Sequence, residues 1–164
     1  MNAIVVYESH WGNTARIAEA IAEGIGEGAL AMTTSEATPS VVAAADLVVA
    51  GAPVMAFSLP NETLRRTIAA DDKGPRPPDL SHPSIRTWLD SLEVHLGAAA
   101  SFETRIKFSP GGATGSIDRR FRSAGYRTIA KPGKFIVTGT YGPLRDGEVE
   151  RARAWGADLW AAMR

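Results

Sequence analysis

The chain has 164 residues, enough for one domain with a sizeable core, and its 18 basic and 18 acidic side chains cancel to a formal net charge of zero. That balance leaves no electrostatic footprint for nucleic acid and points to a small-molecule ligand. With no cysteine, a disulfide framework, a thiolate metal site and a cysteine nucleophile are excluded.

No apolar run reaches membrane-spanning length, and the sequence enters a strand pattern within three residues, so the expected location is the cytoplasm, away from membranes. Residues 3–7 form a continuous apolar run, the pattern of a parallel strand covered on both faces. A short polar loop follows. From Thr14 onward Ile17, Ala18, Ile21, Ala22 and Ile25 recur at helical spacing, with Gly24, Gly26 and Gly28 crowding the end. A strand running into a polar loop that opens a helix is the geometry of a phosphate cradle, because the helix start presents unpaired N–H groups and the positive end of its dipole. Ser9, Asn13 and Thr14 supply hydroxyl and amide donors, and Gly12 lets the backbone approach closely. No lysine or arginine lies within this loop, which favours a phosphate monoester held by neutral donors over a triphosphate with magnesium.

A weak strand over 29–34 and a short helix opening at Thr38-Pro39 precede a second buried strand over 47–52. That strand runs into Pro53, Val54, Met55, Ala56, Phe57 and Ser58, a loop whose large apolar side chains can pack a ligand ring. A helix is predicted over 62–69. Residues 71–83, with Pro75, Pro77, Pro78 and Pro83, can be neither helix nor inner strand and read as a long surface loop or lid. Ile85, Trp88, Leu89 and Leu92 mark another helix, and a fourth strand falls somewhere within 98–108. After the glycine-rich stretch 109–115 comes a basic helix through Ile117, Phe121 and Ala124, whose Arg119, Arg120 and Arg122 read as a solvated face. A fifth strand over 134–138 and a last helix over 147–163 complete the alternation. Five strands alternating with helices predict a three-layer α/β sandwich whose ligand sits outside the carboxyl ends of the strands.

Competing chemistries find little support. A phosphorelay receiver needs an aspartate after the third strand, where Ala52-Pro53 stands, and a phosphatase of this topology needs the missing cysteine. The stretch Gly111 to Ser116 faintly suggests a second anion site but lacks a Walker lysine and reads as a flexible loop. His10, His82 and His95 have no metal-ligand spacing and read as solvated or capping side chains.

Ser-His-Trp-Gly-Asn-Thr after a buried strand resembles the flavodoxin phosphate signature, in which a serine or threonine precedes Gly-Asn-Thr by three residues. The regions 46–58 and 135–144 are also similar to the third and fifth strand regions of short flavodoxin-family proteins. The resemblance implies a parallel sheet of order 2-1-3-4-5 and FMN as cofactor. By position, Ser9, Asn13 and Thr14, with the backbone of His10, Trp11 and Gly12, would hold the FMN phosphate. Pro53, Val54, Met55, Ala56 and Phe57 would line one side of the isoalloxazine, and the loop of Lys107, Ser109, Gly111 and Gly112 the other. It further implies electron transfer between a reduced donor and a partner protein or small acceptor. Three features depart from the carrier pattern: the charge balance, a first flavin loop without glycine, and no tyrosine or tryptophan between Phe102 and Gly115. An FMN-dependent reductase of quinones or other small acceptors, and a flavodoxin-fold binding protein that has lost flavin, are therefore the alternative readings. Trp11 either covers part of the ligand or covers the first helix.

Overall fold

The computed structural model describes residues 2–164. Strand β1 (Ala3–Tyr7) shows why its sequence is apolar throughout: Ala3 and Val5 join one core, Ile4 and Val6 the other. Strand β3 (Leu47–Pro53) divides its side chains in the same way, and neither face of the central sheet meets water. Strand β2 (Ala29–Thr33) lies at the edge, where Leu30 is 63% exposed, which accounts for its weaker apolar pattern.

The strands run parallel in the order β2-β1-β3-β4-β5, with β4 spanning Ala98–Ile106. This is the expected 2-1-3-4-5 order. The fifth position differs from the expected single strand, because two segments share it. β5 (Arg127–Thr128) pairs with Ala98 and Ala99, while β6 (Gly133–Val137) pairs with residues 102–106. Pro132 lies in the gap and has no N–H to donate to the ladder, so the pairing is interrupted there.

Helices α1 (Asn13–Ile25) and α6 (Glu148–Met163) cover one face. Their contact depends on two glycines: a Cβ at Gly24 would sit 1.9 Å from the Arg153 carbonyl oxygen, and one at Gly156 would sit 2.2 Å from that of Ile21. Glu148 fastens α6 to the sheet by accepting from the Ile136 N–H and pairing with Arg145 and Arg151. Burial raises its carboxyl, but these partners outweigh that effect and bring it down to about 2.

The other face carries the short α2 (Pro39–Ala43), α3 (Glu62–Ala69), α4 (Ile85–Asp90) and α5 (Thr114–Ser123). Trp88, Leu89, Ile117 and Phe121 fill that core. The starts of α3 and α4 follow side-chain capping chemistry, since Asn61 accepts from the Leu64 N–H and Ser84 from the Thr87 N–H. Among the described residues no helix is long and apolar enough to cross a membrane.

Candidate functional site

At the carboxyl edge, β1 turns into α1 through residues 8–12. Gly12 takes φ 98°, a left-handed conformation that costs glycine nothing and other L-residues about 1 to 2 kcal/mol. It stands at the N-cap, and no side chain caps the helix, so its first turn keeps its N–H groups available. The loop holds its own shape. The Gly12 N–H donates to Ser9 Oγ at 3.2 Å, Asn13 Nδ2 donates to the Tyr141 carbonyl at 3.1 Å, and the Thr14 and Thr104 hydroxyls share a hydrogen bond of 2.8 Å. These polar side chains therefore brace the cradle before any ligand enters, and the free donors are the backbone ones.

A cavity of about 230 Å³ opens directly in front of this helix start. Ser9, His10, Trp11, Asn13 and Thr14 form one wall, and Pro53, Val54, Met55, Ala56 and Phe57 form a second. Ser109 closes it together with residues absent from the sequence reading: Thr104, Arg105, Ile106, Val137 and Thr140. Gly12, Lys107, Gly111 and Gly112 do not line it. Lys107 instead places its ammonium 5.0 Å from the Phe108 ring centre, and Gly112 donates its N–H to the Phe57 carbonyl at 3.1 Å, which joins the two flanking loops. A Cβ at Gly111 would lie 2.0 Å from that same carbonyl oxygen, so only glycine permits the junction.

The two loops also hold every positive-φ residue other than glycine among the described residues: Ala56 at 44°, Phe57 at 68° and Phe108 at 63°. Met55 and Ser58 exchange backbone hydrogen bonds of 3.0 Å around Ala56 and Phe57. Two central residues at positive φ make this a tight turn of the type that ordinarily selects Asn-Gly. The first flavin loop, which lacks glycine, nevertheless holds two residues at positive φ, at a cost of order 1 kcal/mol or more each. Phe57 and Phe108 remain 63% and 90% exposed. The second loop, without tyrosine or tryptophan, carries Phe108 as its aromatic residue.

Behind the cradle lies a buried charged cluster. Glu8 accepts from Arg65 Nη1 and lies against His10 Nε2, each at 2.8 Å, and it also accepts the Ile85 N–H at 3.0 Å. Burial pushes the Glu8 carboxyl up, but the His10, Ile85 and Arg65 interactions prevail and hold it below its ordinary value. His10, expected to be a solvated or capping side chain, is only 3% exposed, and its ring lies against this carboxylate.

The proline-rich segment 71–83 is fastened rather than free. Arg76 Nη2 donates to the Trp11 carbonyl at 2.7 Å, Trp11 Nε1 returns a bond to the Arg76 carbonyl at 3.1 Å, and the Asp79 N–H donates to the His10 carbonyl at 2.9 Å. Tyr141 meets the Trp11 ring edge-on at 4.8 Å and donates its hydroxyl to Asp71 at 2.7 Å. Trp11 anchors this segment in addition to lining the cavity, an outcome neither sequence alternative described. The segment also brings a cation to the loop from outside it, which the loop sequence alone did not disclose.

The start of α5 settles the faint second anion site. Glu103, fully buried, accepts the Ala113 and Thr114 N–H groups at 2.6 and 3.1 Å and pairs with Arg105 at 2.9 Å. A carboxylate of the chain itself fills that position. Arg105 also donates to the Ser109 and Gly111 carbonyls, fixing the second loop.

Among solved structures, a flavodoxin from the domain Archaea superposes with a TM-score of 0.68 at 18% identity, covering 99% of both chains. The chain has the flavodoxin fold. A flavodoxin from Streptococcus pneumoniae TIGR4 superposes equally well at 17% identity, covering 100% of both chains. A WrbA-like flavodoxin from Agrobacterium tumefaciens gives 0.65 at 20%, with 99% of this chain and 97% of that one covered. No family model and no curated relative matches the chain. At these identities the likeness establishes the flavodoxin architecture, and the residues of the site carry the rest.

Proposed function

We propose that this flavodoxin-fold chain binds FMN and passes electrons from a reduced donor to a protein or small-molecule acceptor, acting in the cytoplasm. The observation that supports it most is an uncapped α1 start facing a cavity whose opposite wall is apolar. This donor set suits a phosphate monoester: backbone N–H groups at the positive end of a helix, braced by Ser9, Asn13 and Thr14. The Pro53 to Phe57 wall and the loop of Lys107, Ser109, Gly111 and Gly112 would then flank the ring. FMN, when bound, supplies the redox chemistry. The chain's own residues position it, exclude water through Val54, Met55 and Phe57, and hold the two loops together through the Gly112 to Phe57 hydrogen bond.

A reductase of small planar acceptors is the second reading. It is favoured by the exposed ring of Phe57 at the cavity, which offers a stacking surface, and by the charge balance.

Purification without added flavin tests the proposal. The expected product is yellow, keeps its flavin absorption through desalting, and melts at a higher temperature with FMN added. A colourless product whose melting temperature ignores FMN overturns it in favour of a flavin-free binding protein. Rapid oxidation of a nicotinamide donor by the FMN-loaded protein with a quinone present would select the reductase reading.

A further inference from the structure

We propose that one end of the sheet, built from the loop after β4 with α5, β5 and β6, is a docking surface for an acidic protein that exchanges electrons with the chain, an inference that rests on the FMN reading. The net charge of zero conceals a separation along the strand order. Residues 1–61, which supply β1, β2 and β3, hold six acidic side chains and one basic one, Arg16. Residues 105–134, towards the opposite end of that order, hold eight basic side chains and one acidic one, Asp118.

Two of the eight are matched within the chain, Arg105 by Glu103 and Arg120 by Asp90, at 2.9 Å each. Lys107, Arg119, Arg122, Arg127, Lys131 and Lys134 are all exposed and make no salt bridge among the described residues. Arg86 of α4 feels the same crowding: burial lowers its pKa most, and the nearby Arg120 and Arg119 guanidiniums lower it further. Protection of a sheet edge explains only part of this. Basic side chains on an outer strand guard against pairing with another sheet, a role open to Arg127, Lys131 and Lys134. Lys107, Arg119 and Arg122 stand on a loop and a helix, where that role does not apply, and solubility calls for mixed signs.

The kind of partner follows from what interrupts the charge. Lys107 stands between Ile106 and Phe108, which are 43% and 90% exposed. Apolar residues within a charged rim are the arrangement of a protein–protein contact. Ile106 and Ser109 line the cavity in front of α1, so a protein docked on this loop comes up against the flavin site. A long polyanion such as nucleic acid is repelled by the acidic end, whereas a compact protein touching one end is not.

The test uses the full chain as purified and poly-L-glutamate as probe, followed by the amide signals in NMR. Flavin is not needed, so failure here and failure of the FMN reading are seen separately. Saturable shifts are expected at Lys107, Arg119, Arg122, Arg127 and Lys131, with residues 19–30 unmoved and the affinity falling as salt is added. Arg119→Glu with Arg122→Glu should weaken binding about ten-fold or more, as two attractions become repulsions, while Arg119→Lys with Arg122→Lys keeps it. In the reduced, FMN-loaded protein, transfer of one electron to ferricyanide, giving ferrocyanide, should slow as salt rises. Transfer to the cation hexaammineruthenium(III), giving ruthenium(II), should not, and with a net charge of zero that difference reports the local field. No saturable shift, shifts spread equally over both ends, or the same salt dependence for the two ions overturns the proposal. Tighter binding of duplex DNA at the same residues overturns it in favour of nucleic acid. Self-association that the Glu variant abolishes overturns it in favour of a second copy of this chain.

Discussion

Two helices of this protein begin at the same edge of one sheet, each after a parallel strand and a glycine-containing loop, and they treat their positive ends in opposite ways. The α5 start is closed by Glu103, whose carboxylate accepts two backbone N–H groups and is itself matched by Arg105. The α1 start has Gly12 at its N-cap, no capping side chain, and open space in front. The α6 start, with Gly147 at its N-cap, also lacks a capping side chain, so what distinguishes the α1 start is the cavity that Asn13 and Thr14 line.

Emptying the closed start should have the largest effect. Glu103→Ala leaves Arg105 and two N–H groups buried without a partner and should cost about 3 to 5 kcal/mol in urea unfolding. Inorganic phosphate should then restore part of the lost melting temperature in the variant, by occupying the vacated position. At the open start, Thr14→Val strands the Thr104 hydroxyl and should cost about 1 to 3 kcal/mol, read both as stability and as weaker FMN binding. Gly12→Ala forces a Cβ into a left-handed conformation 3.0 Å from Arg76, and should cost about 1 to 2 kcal/mol while loosening the same loop.

Relieving strain beside the cavity runs the other way. Ala56→Gly should raise stability by up to about 1 kcal/mol, the left-handed penalty less the extra chain entropy of glycine, and a fall in melting temperature would show that the turn is not strained. Acid gives the gentlest probe. Glu8 is held below its ordinary value of 4.5, so its contribution is complete above that pH and is lost as pH falls towards its lower folded value. Glu8→Gln should flatten that part of the acid unfolding profile.

The open start was legible in the sequence because its signal is local: an apolar strand, Ser9, Gly12-Asn13-Thr14 and a periodic helix are contiguous. The closed start was not, since Glu103 reaches residues ten and eleven positions onward. A glutamate directly after the strand stretch Ala98-Ala99-Ala100-Ser101-Phe102 was the available clue, because a buried carboxylate must find partners. Strand β5, with two residues, is too short to show a period, and it was missed for that reason. The segment 71–83 was correctly denied regular structure by its prolines, but its attachment depends on Trp11, Arg76 and Tyr141, which are far apart in the chain. Phe108 is plain in the sequence, but its left-handed backbone is not, since no glycine marks that position.

The central claim is that the α1 start holds a phosphate group, and the comparison of FMN with riboflavin, which has the same ring without the phosphate, tests it most directly. Titration of the apoprotein by flavin fluorescence should show FMN binding at least about 100-fold more tightly, since two hydrogen bonds to a charged group contribute about 3 kcal/mol or more. Equal affinities for the two flavins would contradict the account.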